Sequence, residues 1–139
     1  MHAWWIYALL SAFFASLTAI LAKVGIKGVD SDVATAVRTG VILIIAWGIV
    51  FFRGRAADVT SLSRHSLIFL VLSGVATGLS WLCYFRALQS GKVTLVAPID
   101  KASLALTLLL AVVFLGEALT LKAAMGAGLI LAGTMVLIL

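Results

Sequence analysis

Five long apolar stretches fill almost the whole of this 139-residue chain, and short polar connectors separate them. The hydrocarbon core of a bilayer is roughly 30 Å thick, and a helix that rises about 1.5 Å per residue needs roughly 20 residues to cross it. Each stretch approaches that length. We therefore predict an all-α fold, a polytopic membrane helical bundle with five transmembrane helices in a single domain, residues 1–139. The predicted spans are Ala3–Ala22, Val33–Phe52, Ser66–Phe85, Val93–Leu115 and Leu121–Leu139.

The composition fits a membrane protein and argues against several other classes. Apolar residues make up 64% of the chain and charged residues only 11%, unlike a soluble domain. The cations behind the net charge of +5 are scattered among span ends, so we expect no nucleic-acid partner. The sequence has no zinc-ligand spacing, phosphate-binding glycine loop or nucleophile–base series, which predicts a non-enzymatic protein without metal or cofactor. We expect it in the cell (inner) membrane, in contact with membrane lipid.

The fourth predicted span combines a helix-breaking residue with two ionisable residues. Pro98, Asp100 and Lys101 lie within an otherwise apolar segment. Proline lacks a backbone N–H and weakens the turn that precedes it, so nearby carbonyls lose their helical donors. Lipid cannot satisfy those carbonyls, and we therefore expect them to face protein, a polar side chain or water.

Ionisable groups inside the spans are candidates for function because a charge in the bilayer is costly. Lys23 and Arg86 lie at span ends, where we expect their side chains to reach the interface. Arg38 and Lys101 lie roughly 8 to 12 Å along their helices from the same side of the membrane. They are the better candidates for a polar cavity.

Asp100 is the one carboxylate well inside a predicted span. Adjacent helical residues point about 100° apart, so we expect its partner to be Arg38 or another cation across the bundle rather than Lys101. A structural ion pair is the leading interpretation. The functional alternative is that Asp100 exchanges protons or binds a cationic substrate.

Two aromatic side chains of the third span complete the candidate site. Trp81 and Tyr84 lie near one another on a helix surface, where they could present aromatic faces to an organic cation or a ring. Packing against neighbouring helices is the alternative. We place both in the candidate cavity.

Small residues form a stripe along the last predicted span. Ala124, Gly126, Gly128 and Gly133 would allow the close backbone approach on which helix association in lipid depends. We predict that this stripe is a dimer interface.

The balance of positive charge between the two sides of the membrane barely favours either orientation. In short loops near span ends, lysine and arginine set the topology. Four such residues fall on each side, which makes dual topology and an antiparallel dimer physically reasonable. A weakly biased single orientation with a parallel dimer is the alternative. The side of the N-terminus has Arg53, Arg55, Arg64 and Lys122, and the opposite side has Lys23, Lys27, Arg86 and Lys92.

An ordered series of motifs covers the second half of the chain. It consists of Tyr84-Phe85-Arg86-Ala87-Leu88, then Ala97-Pro98-Ile99-Asp100-Lys101, then Phe114-Leu115-Gly116-Glu117, then Gly126 and Gly133. In this order the motifs resemble an EamA domain, the repeat unit of the drug/metabolite transporter superfamily. The resemblance extends over nearly the whole chain and is strongest from Tyr84 onward.

The resemblance implies a function that requires more than one copy of the chain. Many family members carry two five-helix repeats inserted in opposite orientations, whereas this sequence has one. The expected function is therefore small-molecule secondary transport by alternating access as a homodimer, with a metabolite or an organic cation as substrate. The alternative is a non-catalytic membrane assembly or lipid-handling (flippase-type) subunit that requires a partner chain. The expected substrate-binding or coupling residues are Arg38, Trp81, Tyr84, Pro98, Asp100 and Lys101.

The charge balance yields a test of dual topology. Several lysines added at one end of the chain should lock one orientation, because short-loop lysines direct insertion. Activity should then return only when oppositely locked copies are co-expressed. Labelling of cysteines placed at both termini, in a background without Cys83, reports the orientation. Full activity from one locked orientation would exclude dual topology.

Overall fold

The computed structural model describes residues 3–139, which form helices joined by short connectors. Five segments are long and apolar enough to cross a bilayer, with α4 and α5 together making the fourth. The predicted all-α membrane fold with five spans is thus confirmed. The helices are α1 (Trp4–Gly25), α2 (Ser31–Phe52), α3 (Arg64–Ser90), α4 (Val93–Lys101), α5 (Ser103–Leu115) and α6 (Leu121–Ile138), with a short 3₁₀ helix at Ala56–Ser61.

Local side chains and one glycine define several helix ends. The Asp30 carboxylate accepts hydrogen bonds from the backbone N–H of Asp32 at 2.9 Å and of the following residue at 3.2 Å, which starts α2. Gly116 ends α5 with a φ of 66°, a left-handed conformation that favours glycine. The Thr120 hydroxyl then accepts from the N–H of Ala123 at 3.2 Å and starts α6.

Three helices are longer than the apolar stretches that predicted them. α3 runs from Arg64 to Ser90 instead of from Ser66 to Phe85. α1 continues to Gly25 instead of Ala22, and α2 begins at Ser31 instead of Val33. The predicted ends marked where apolar residues stop. Helical hydrogen bonding continues beyond that point because polar side chains are compatible with a helix at the membrane surface.

Most large apolar side chains of the spans are exposed in the single chain. Ile44 is 74% exposed and Leu129 is 73% exposed, in the interior of α2 and of α6. In water such surface would be covered by a core, whereas in a bilayer lipid tails cover it at no hydrophobic cost. The exposure therefore agrees with the membrane-spanning lengths.

The fourth span is broken at Ala102, between α4 and α5. The N–H of Ala102 donates to the carbonyl of Ile99 at 3.0 Å, so the carbonyl of Pro98 lacks its usual helical donor. The Ser103 hydroxyl donates to the carbonyl of Asp100 at 2.7 Å and thereby competes with the helical ladder. The break thus follows Pro98 by about one turn, whereas the sequence predicted a weakened turn before it.

Contacts group the described helices into two compact units. The terminal unit contains residues 3–20 and Ser90–Leu139, and the α2–α3 unit contains Leu21–Gln89. Within the terminal unit, α4, α5 and α6 pack against one another. The hydroxyl of Thr134, a buried residue on α6, lies 3.3 Å from the Pro98 carbonyl and 2.8 Å from the carbonyl of Ile130. The carbonyl of Pro98 itself thus meets a polar side chain, whereas the freeing of carbonyls in the turn before Pro98 stays a prediction.

The α2–α3 unit is tied together at one end. Arg86 of α3 forms an ion pair with Asp32 of α2 at 3.2 Å, and the Gln89 amide donates to the carbonyl of Val29 at 2.7 Å. The Lys23 ammonium donates to the carbonyl of Leu88. The Asp32–Arg86 pair joins the start of α2 to the end of α3, so the two helices run antiparallel within the unit. The other two contacts join the end of α3 to the end of α1 and to the connector before α2.

The Thr134 contact should be measurable as a small stability term. Thr134→Val keeps the shape but removes the hydroxyl shared by two carbonyls, and it should lower the free energy of unfolding by about 0.6–2 kcal/mol, the range for hydrogen bonds between membrane helices. Thr134→Ser, which keeps the hydroxyl, is the matched control. Unfolding by SDS in mixed micelles measures both variants, and equal losses in the two would attribute the effect to packing alone.

Candidate functional site

The centre of the α2–α3 unit is a stacked arginine. The guanidinium carbon of Arg38 lies 4.1 Å from the centroid of the Trp81 ring and 5.5 Å from that of Phe85. Arg38 and Trp81 are half-buried, and Phe85 is buried at 3% exposure. A cation over an aromatic face is stabilised by the ring quadrupole, most strongly over tryptophan. This contact partly offsets the cost of a charge within a membrane span.

The tied end of the unit positions Arg38 against its aromatic partners. Arg38 follows Asp32 by six residues along α2, and Trp81 precedes Arg86 by five residues along α3. Antiparallel helices joined at Asp32 and Arg86 therefore bring Arg38 opposite Trp81. Trp81 and Phe85 are four residues apart, which places them on one face of α3.

Tyr84 belongs to the same neighbourhood. It is half-buried, and its ring centroid lies 6.4 Å from that of Phe85, whose own centroid is 5.5 Å from the Arg38 guanidinium carbon. Three residues of the predicted site, Arg38, Trp81 and Tyr84, are thus brought together. Sequence reasoning missed Phe85, although its four-residue spacing from Trp81 was a visible signal.

Every carboxylate in the α2–α3 unit has a partner other than Arg38. Asp30 caps α2, Asp32 pairs with Arg86, and Asp58 pairs with Arg55 at 3.2 Å. Within residues 21–89, no carboxylate pairs with Arg38. In this unit its positive charge therefore contacts aromatic rings and has no ion-pair partner.

A second group of predicted residues lies in the terminal unit, beside the helix break. Asp100 and Lys101 form an ion pair at 3.4 Å, with side chains 39% and 55% exposed. The prediction that Asp100 does not face Lys101 is wrong. The helix ends at Lys101, and the long flexible lysine side chain can bend towards the neighbouring carboxylate. Pairing of Asp100 with Arg38 stays a prediction, since the two belong to different units.

The small-residue stripe of α6 is open in the single chain. Gly126, Gly128 and Gly133 are exposed, and Ala124 is half-buried. A side-chain carbon added at any of these glycines would meet no neighbouring group of the described chain within 4 Å. The stripe therefore has room for another helix, and its role as a dimer interface stays a prediction.

Comparison with known families decides the class of protein. Residues 2–139, nearly the whole chain, match the EamA-like transporter family. The chain belongs to that family. The resemblance first seen in the motifs from Tyr84 onward is thus confirmed, and this EamA-family protein is an integral membrane protein of a transporter family.

A curated relative supports the same class. The EamA-family protein is 46% identical over 136 residues to a Sinorhizobium protein named "Uncharacterized transporter in cobO 3'region". The match covers 98% of this chain and 96% of the relative, so the relative is of similar length. No solved structure matches the chain significantly.

The stacked arginine of this EamA-family protein can be tested by a double-mutant cycle. Arg38→Met and Trp81→Leu should show a coupling free energy of about 0.5–2 kcal/mol, because each change removes one partner of the cation–aromatic contact. Unfolding by SDS in mixed micelles provides the free energies. The control cycle pairs Arg38→Met with Trp47→Leu, since Trp47 contacts Phe51 on α2 instead. Equal coupling in both cycles would contradict a specific contact.

Proposed function

We propose that this EamA-family protein is a secondary transporter of small molecules that works by alternating access as a homodimer. The observation that carries the proposal is the family match over residues 2–139, a length that holds one set of five spans. Secondary transporters often place the substrate between two inverted repeats near the middle of the membrane. Here a second copy of the chain would supply the second repeat.

The length of the relative supports assembly from separate copies. The Sinorhizobium protein bears the name of a transporter and matches over 96% of its own length, so it also has the size of one repeat. We propose an antiparallel homodimer in the inner membrane. The nearly equal distribution of loop cations supports insertion in both orientations.

We propose that α6 supplies the dimer contact. Helix association in lipid depends on close packing because lipid tails are as apolar as the helices. The exposed glycines Gly126, Gly128 and Gly133, together with Ala124, would allow a helix of the second copy to approach closely.

The broken fourth span supports a role for its polar residues in transport. Discontinuous helices in transporters place polar groups and freed carbonyls at the substrate or ion site. Pro98, Asp100 and Lys101 lie within one turn or so of the break at Ala102. We propose that they take part in substrate binding or coupling, as do Arg38, Trp81 and Tyr84 in the α2–α3 unit.

Transport by the purified chain alone tests this proposal. Protein reconstituted in liposomes with a pH gradient should accumulate at least one of three probes: cyclohexanecarboxylate, alanine or tetraphenylphosphonium. These represent an anionic, a zwitterionic and a cationic substrate. Protein-free liposomes give the background. A chain that binds a probe but never transports one without a partner would indicate a partner-dependent subunit instead.

The same preparation tests the dimer. Gly128→Leu should lower the cross-linked dimer fraction and the initial transport rate severalfold, because the larger side chain blocks helix approach. Gly48→Leu is the matched control, since Gly48 of α2 is also exposed and open. An unchanged dimer fraction in Gly128→Leu would place the interface elsewhere.

A further inference from the structure

The Arg38 guanidinium has aromatic neighbours but no acidic partner in its own unit. Its carbon lies over the Trp81 ring, 4.1 Å from the ring centroid, and 5.5 Å from the centroid of Phe85. A guanidinium has five N–H donors directed outward in its own plane, more than contact with a ring can use, so donors remain for a ligand. Arginine edges bind carboxylate and phosphate oxygens through paired hydrogen bonds.

The acidic groups of the α2–α3 unit do not pair with the Arg38 guanidinium. Asp30, Asp32 and Asp58, the three carboxylates of the α2–α3 unit, are engaged by the α2 backbone, by Arg86 and by Arg55. The hydroxyl protons of Thr35 and Thr39, the nearest polar residues on α2, are directed to backbone carbonyls at 2.8 Å. Arg38 therefore keeps a net positive charge that no acidic group of its own unit balances.

An unbalanced cation inside an apolar segment is costly in the membrane. The penalty falls when an anion or water hydrogen-bonds to the charge. Arg38 lies seven residues after the start of α2, about 10 Å along the helix axis. At that depth an anionic ligand would gain from reduced dielectric screening of the attraction.

The same geometry argues against an organic cation at Trp81. A substrate cation would need the aromatic face that Arg38 already occupies, and it would be repelled by the guanidinium at close range. The aromatic residues that suggested a cationic substrate in the sequence instead hold a cation of the chain itself.

We propose that the N–H edge of Arg38 binds an oxyanion, the carboxylate or phosphate group of the transported molecule, while Trp81 and Phe85 hold the guanidinium in place. This inference rests on the proposed transport function and specifies the substrate class as anionic or zwitterionic. The oxyanion could belong to a soluble metabolite or to a lipid headgroup. The two sources share the same recognition by Arg38.

Equilibrium binding at Trp81 tests the proposal without requiring transport. Trp4, Trp5 and Trp47 are replaced by phenylalanine, so that Trp81 is the only tryptophan. The full-length protein is purified in dodecyl maltoside, whose micelles carry no charged group. Cyclohexanecarboxylate and inorganic phosphate are titrated as soluble probes, cyclohexanecarboxamide serves as the neutral control, and phosphatidylglycerol is added to the micelles as the lipid probe.

We expect a saturable change in Trp81 emission with at least one oxyanion and none with the carboxamide. A response to the soluble probes indicates a metabolite, and a response to phosphatidylglycerol alone indicates a lipid. Arg38→Gln should weaken the apparent affinity roughly 10- to 100-fold, the worth of a charge-assisted hydrogen-bonded pair. Arg53→Gln, at the far end of α2, should leave it unchanged.

Further variants and the transport data distinguish a failure of the oxyanion site from a failure of the proposed transport function. Arg38→Lys keeps the charge but loses the paired geometry, so its affinity should be intermediate, and it serves if Arg38→Gln fails to fold. Binding that is equal in Arg38→Gln and the parent, or no saturable response to any oxyanion, would overturn the proposal. Uptake of tetraphenylphosphonium alone would overturn it and leave the transport function standing. Oxyanion binding without any transport would contradict the transport function and leave the site standing.

Discussion

The absence of water from the bilayer core is the constraint on which this structure depends. Every backbone N–H and C=O at that depth must find a partner within the protein, because lipid offers none. Long helices satisfy this requirement. The break at Ala102 is tolerated only because side-chain hydroxyls replace the backbone donors that the helix loses there. The hydroxyls of Ser103 and Thr134 reach the carbonyls of Asp100 and Pro98 at 2.7 and 3.3 Å. A hydroxyl on the adjacent helix α6 thus compensates for a donor that α4 has lost.

The same constraint governs the charged side chains. Asp32 and Arg86 pair at the tied end of the α2–α3 unit, and Asp100 pairs with Lys101 beside the break. Arg38 differs, since its guanidinium carbon lies over the Trp81 ring and near that of Phe85, and no carboxylate of its unit pairs with it. Charges that are neutralised by a partner mainly stabilise the fold. A charge held in place but left unbalanced is suited to a ligand of opposite sign.

The exposed surface has a different meaning in lipid than in water. Large apolar side chains such as Ile44 are covered by lipid tails, so their exposure does not call for a partner. The open glycines of α6 differ because a smooth surface allows two helix backbones to approach closely.

The sequence by itself determined the membrane fold, the number of spans and the family, because each depends on local composition or on the order of short motifs. The five apolar stretches predicted the spans, and the series from Tyr84 onward predicted the EamA family, both confirmed. The sequence also identified Arg38, Trp81 and Tyr84 as candidates, but only the tertiary structure placed Arg38 against Trp81 and buried Phe85 beside them. Only the structure showed that the helix breaks after Pro98 and that Asp100 pairs with Lys101, both contrary to prediction. These features depend on which helices pack together and on how side chains bend at a helix end. The spacing of residues within one helical segment carries no information about either, so the sequence could not predict them.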